Sequence, residues 1–209
     1  MLKTFSITDI GRKRKVNQDY IYTSEKPVGN LPNVFIVADG MGGHNAGDYA
    51  SKVTVETMLA EMENSFEKNP TLIFRKAIEE ANDVIRKRAS EDEKLEGMGT
   101  TVVVASCMGR FLQVANVGDS RLYVVGSKIR QITRDHTCSP FPKKLGNLRA
   151  RLDQYHTDIV SAAVGIGRLH QALCLLHKVS GSADNHADFL VFQHICQTIR
   201  AHKDDLTLL

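Results

Sequence analysis

The chain has no tryptophan, only 6% aromatic residues, five prolines and four cysteines in 209 residues. The few prolines and 15 glycines exclude a collagenous or low-complexity chain, and 42% hydrophobic residues exclude wholesale disorder. Cysteines 107, 138, 174 and 196 show no paired spacing, so reduced thiols are expected rather than a disulfide framework. No apolar run approaches the ~18 residues of a membrane-spanning helix. The first residues, Met1 to Ser6, lack the apolar core of a secretion signal, and a cytoplasmic protein is expected. A net charge of +3 is too small to imply nucleic acid as a partner. The length suits one globular domain.

Composition divides the chain. Residues 1–137 contain ten Glu and two His, whereas 138–209 contain no Glu, six His and three of the four Cys. At the front's rate about five Glu would be expected in the remainder. Two readings stay open: a different structural region, or a chain whose reading frame changes, or which is truncated, near Thr137. Residues 1–137 and 138–209 are thus expected to be two distinct regions, the second a divergent tail.

Within the front part, 19–24 and 33–38 are rich in β-branched and aromatic residues and predict strands. Val55, Met58, Leu59, Met62 and Phe66 predict the apolar stripe of a first helix. Pro70 and Thr71 open a second, with Phe74, Ala77, Ile78, Ala81, Val84 and Ile85 as its core face. Four further strands, 100–106, 111–116, 121–125 and 128–133, predict an antiparallel meander. The order describes an α+β layered fold. In the tail, 160–176 is expected to form an apolar helix. Cys174, His177, His194 and Cys196 match no zinc spacing, and Gly165-Ile166-Gly167 is not a dinucleotide fingerprint.

Asp19 starts the first strand and Asp39 ends the second, so an antiparallel hairpin would bring them to one rim of the sheet. Asp119 follows another apolar run. Clustered carboxylates repel unless a cation joins them, and hard oxygen ligands suit Mg²⁺ or Mn²⁺. The Gly40 carbonyl is sterically free to serve as a further ligand. Two such ions would acidify a water held between them. Arg14 offers a two-pronged donor for phosphate oxygens, and His44 a proton for a leaving alkoxide.

The segments 11–19 (GRKRKVNQD), 37–44 (VADGMGGH), 97–101 (GMGTT) and 116–121 (NVGDSR), followed by Leu122-Tyr123 and by 133–136 (TRDH), occur in this order. Over residues 4–137 they resemble bacterial metal-dependent protein phosphatases (PPM, type 2C). The resemblance implies an α-β-β-α four-layer sandwich of two antiparallel sheets, incomplete here at its C-terminal end. It implies hydrolysis of phosphoserine and phosphothreonine in proteins by a water activated by two Mn²⁺ or Mg²⁺ ions. Arg14 would bind phosphate, Asp39 would bridge the metals and the Gly40 carbonyl would ligate one. Gln18 and Asp19 would act through metal-bound waters, His44 as general acid, and Asp119 at a third, weaker metal. The partners would be phosphorylated proteins, substrates of a Ser/Thr kinase, and the enzyme a monomer. The family's later Ser-Asp-Gly element is missing, since no Asp-Gly follows residue 40, and Asp204-Asp205 offers only a short counterpart to its late Asp ligand. A phosphoprotein-binding module without catalysis is the alternative. Without the family's last strands, residues 1–137 would leave sheet edges open.

Overall fold

The computed structural model describes residues 2–11, 14–43, 46–109, 111–125 and 129–136, and the backbone of 160–163 and 172–176. Strand β1 (Asp19–Ser24) pairs antiparallel with β2 (Val34–Met41), which pairs in turn with β4 (Val102–Met108). The two-residue β3 (Gly99–Thr100) pairs with the far end of β2. Strand β4 pairs with β5 (Phe111–Val117) through the short turn at Gly109. A second sheet is centred on β6 (Arg121–Val125), beside β7 (Ile129–Gln131).

Two helices cover one face of the first sheet. Helix α1 (Ala46–Asn64) buries Val55, Met58 and Met62. Helix α2 (Pro70–Glu91) opens with Pro70 in its first turn, where the missing N–H costs nothing, and the Asn69 side chain accepts the Thr71 N–H at 3.0 Å. It buries Ile73, Phe74, Ala77, Ile78, Ala81 and Ile85 at helical spacing. These side chains pack on Val34, Ile36, Ala38, Val102, Val104 and Ala115. The alternate positions Phe35, Val103, Ala105, Leu112 and Val114 face the other way and meet Leu122 and Val124 of β6. The first sheet is therefore buried on both faces. Its central strands read as unbroken apolar runs for that reason. Helices, sheet and second sheet form successive layers of the expected α+β sandwich.

Four expectations change. The meander is interrupted, because β6 leaves β5 and starts the second sheet. Glycine at 118 and polar Asp119 and Ser120 break the apolar run there and let the chain turn out of the sheet. Phe66 lies beyond α1 and is 97% exposed, since the helix stops at Asn64. The expected helix over 160–176 is replaced by two strands, β8 (Val160–Ala163) against β5 and β9 (Ala172–Leu176) against β6. Short apolar runs satisfy either periodicity, and the unpaired backbone edges of β5 and β6 select the strand. Those two edges are consequently covered rather than open. The tail's Cys–His pairs lie mostly outside the described residues. No helix among the described residues is long and apolar enough to cross a membrane.

Candidate active site

Register decides what meets at the end of the β1–β2 hairpin. Asp19 stands directly opposite Asp39, as the antiparallel pairing requires. The chain just before β1 is shaped by Asn17, whose side chain accepts the Asp19 N–H at 3.0 Å and donates to the Thr8 hydroxyl at 2.9 Å. Beyond Asp39 the pairing continues backward: the Gly40 N–H donates to the Gln18 carbonyl at 2.9 Å. Gly40 has no side chain for a physical reason. A Cβ there would lie 1.8 Å from the Gly47 carbonyl oxygen in the first turn of α1. Gly47 is equally constrained, because its own Cβ would lie 2.5 Å from the Gln18 amide nitrogen. Two glycines thus let strand, helix and the Gln18 side chain crowd together beside Asp39.

Arg14 reaches the same rim. Its guanidinium donates to the Gln18 side-chain oxygen at 3.1 Å, and the Gln18 amide donates to the Gly42 carbonyl at 3.4 Å. Asp119 sits in the turn between β5 and β6, which bears on the end of β2 through Thr101. The Asp39 N–H donates to the Thr101 hydroxyl at 3.1 Å, and that hydroxyl lies 2.6 Å from the Ser120 hydroxyl. The Asp39 carbonyl accepts from the Thr101 N–H at 2.8 Å and from the Thr100 hydroxyl at 2.9 Å.

The electrostatics reflect this crowding. The Asp39 carboxyl is pushed up to about 7. Burial is the main cause, followed by the Asp19 charge and a hydrogen bond with Asp19. The Asp119 charge adds to the rise, and only the Arg14 guanidinium opposes it. Arg14, Asp19 and Asp119 thus all act on Asp39. His44 lies outside the described residues, as do Arg12 and Lys13.

The donor chemistry can be tested against a divalent ion. A strained carboxylate pair that holds an extra proton near neutrality is a pair that a hard cation would relieve. Asp19, Asp39 and the Gly40 carbonyl, completed by water, fit one Mg²⁺ or Mn²⁺, which binds through one or two carboxylates and retains waters. Among the described residues no three His, Cys, Asp or Glu side chains gather to hold a metal. A hollow of about 570 Å³ lies elsewhere, lined by Glu61, Phe66, Lys68 and Lys76 at the α1–α2 connection.

Thr100, Thr101 and Ser120 lie within the segments 97–101 and 116–121, where the sequence reads them as turn residues and gives them no role at the site. Neither spacing nor residue type says that a threonine on one strand will meet a serine nineteen positions later. The same holds for Arg121, whose guanidinium grips the Asp135 carboxylate through two nitrogens at 2.9 and 2.5 Å. That pair anchors the segment after β7 against the foot of β6.

An α+β sandwich with a carboxylate rim at the end of its β1–β2 hairpin defines the class. The chain belongs to the protein phosphatase 2C family, whose model matches residues 11–139. The serine/threonine phosphatase stp of Listeria welshimeri is 39% identical over 139 residues, which are 62% of this chain and 53% of that protein. The protein phosphatase PhpP of Streptococcus pneumoniae is 32% identical over 165 residues, 76% of this chain and 66% of that protein. The crystal structure of the serine/threonine phosphatase Stp1 from Staphylococcus aureus superposes with a TM-score of 0.55 at 28% identity, covering 80% of this chain and 68% of that one. The chain spans about half the length of the Listeria relatives it matches.

Proposed function

We propose that this chain carries the phosphate-binding and first metal-binding half of a protein phosphatase acting on phosphoserine and phosphothreonine. The observation that carries the reading is the Asp19–Asp39 register pair with its proton-hungry Asp39. Asp39 and Asp19, with the Gly40 carbonyl, would hold Mn²⁺ or Mg²⁺, and Asp119 would contribute at a further, weaker position. The ion's chemistry is to acidify a bound water and stabilise charge on phosphate oxygens. Arg14 binds the phosphate of the substrate: its guanidinium is fixed to Gln18 by one nitrogen, on the rim where Asp39 lies. Gln18 orients that guanidinium and is itself held by the Gly42 carbonyl. His44 would protonate the departing alkoxide. The substrates would be phosphorylated proteins made by a Ser/Thr kinase, met by a monomer in the cytoplasm. Every residue of this reading lies within 1–137.

The test is Mn²⁺-dependent release of phosphate from a phosphothreonine peptide by the full chain. Activity that is lost with chelator and with Asp39→Asn supports the reading. Turnover that persists in chelator would falsify it.

A second reading has its own support in the sequence, where no Asp-Gly follows residue 40 and the family's later Ser-Asp-Gly element is missing. With one ion and Arg14 alone, the chain would bind phosphoproteins without hydrolysing them. Saturable binding of the phosphothreonine peptide, weakened by Arg14→Ala and unaccompanied by phosphate release, distinguishes it.

A further inference from the structure

The turn that carries Asp119 and the strand end that carries Asp39 belong to different parts of the chain, and one residue joins them. Thr101, 8% exposed, takes the Asp39 N–H on its hydroxyl and sets that hydroxyl 2.6 Å from the hydroxyl of Ser120, which is 1% exposed. Its methyl carbon fills the space over Gly118, where a Cβ would lie 2.7 Å away. Gly118 also holds a φ of +97°, a conformation open to glycine. From the other side the Gly118 carbonyl accepts the His136 N–H at 2.9 Å. The 118–120 turn is thereby clamped onto Thr101, and Thr101 onto the Asp39 peptide.

We propose that Thr101 is a positioning residue: through its hydroxyl couple with Ser120 it fixes the Asp119 turn relative to Asp39, and so sets the geometry in which the rim receives a divalent cation. The inference rests on the cation reading proposed above. It assigns Thr101 no contact with ion or substrate. Its hydroxyl acts on the Asp39 backbone and on the neighbouring turn, as outer-shell groups do when they orient a ligand. The Thr100 hydroxyl, which donates to the Asp39 carbonyl, steadies the same peptide but makes no link to the turn.

Thr101→Val keeps the shape and removes the hydroxyl, whereas Thr101→Ser keeps the hydroxyl. Free Mn²⁺ measured by electron paramagnetic resonance in titrations of the full chain should show binding weakened about 10- to 100-fold in the valine variant and restored by serine. Thermal unfolding of the same samples separates a merely structural role, which would lower the midpoint in both variants' order of packing loss while leaving Mn²⁺ affinity unchanged. A second, metal-free measurement judges the link itself. Ser120→Ala should shift the Asp39 amide resonance in the parent chain and leave it unmoved in the Thr101→Val background. Equal shifts in the two backgrounds, or unchanged Mn²⁺ affinity in the valine variant, overturn the proposal. If the parent chain binds no Mn²⁺, the cation reading fails, and the amide shifts alone decide whether Thr101 couples the two segments.

Discussion

Strand β2 has a polar side chain near each extremity, and the two are treated in opposite ways. At its start, the Asn33 side chain donates to the Cys107 carbonyl at 2.8 Å and accepts the Cys107 N–H at 2.7 Å. Asn33 is buried, and each half of its amide is matched by a backbone group of β4. At the other end Asp39 is also withdrawn from water, but it faces Asp19 and feels Asp119, and its charged form is disfavoured. One extremity resolves the cost of burying polar atoms within the chain. The other keeps a carboxyl among like charges, with the Arg14 guanidinium alone opposing the rise. That contrast supports the second as the proposed functional end, since a fold under selection for stability alone has no reason to bring like charges into register.

The contrast is broken most severely by removing Asp39. Asp39→Asn should lower Mn²⁺ affinity by more than the about 10- to 100-fold that loss of an outer-shell partner costs, as read by titration calorimetry. Unchanged affinity would place the cation elsewhere. Gly40→Ala comes next. The new methyl would press on a backbone oxygen rather than on a movable side chain, so strand and helix must separate, at a cost of about 3 kcal/mol in urea unfolding. A smaller loss would mean that the first turn of α1 yields easily. Third is the satisfied end. Asn33→Ala strands the Cys107 N–H and carbonyl and should cost about 2 kcal/mol, with Mn²⁺ affinity untouched. A matching fall in affinity would show that the two ends are not independent.

How much of this could be read beforehand depends on distance along the chain. The hairpin logic placed Asp19 beside Asp39 because antiparallel pairing and a short connection leave little choice. The stripe on α2 is legible because Pro70 and Thr71 mark its start and Phe74, Ala77, Ile78, Ala81 and Ile85 repeat at one period, while Val84 falls beside the buried face and Ile73 extends it. Phe66 was misassigned because it extends the α1 stripe in register, and only the helix's end at Asn64 removes it. The departure of β6 into a second sheet was hidden, since alternation within a strand does not name its partner. The Thr101–Ser120 contact was hidden for the same reason. Runs 160–163 and 172–176 became strands because edges of β5 and β6 were waiting for them, a fact of the assembled fold.

The gentlest test uses protons as the probe of the strained end. Asp39 titrates near 7 in the folded chain, above its ordinary value of 3.8. The folded state therefore holds this proton more tightly than the unfolded chain does. Its contribution to stability is complete below about pH 4 and is lost as pH rises through 7. In chelator, the parent chain should lose stability between pH 5 and pH 8 relative to Asp39→Asn, which cannot ionise there. Solvent screening of a half-buried pair keeps the difference to about 1 kcal/mol in urea midpoints. Asn33→Ala, at the satisfied end, should leave that pH dependence as it is in the parent. Mn²⁺ at pH 8 should raise the midpoint of the parent chain and not that of Asp39→Asn, because the ion takes over the charge the proton neutralises at lower pH. A parent chain whose relative stability instead rises from pH 5 to pH 8 would mean that Asp39 is charged and already compensated by the protein, and the distinction between the two ends of β2 would be lost.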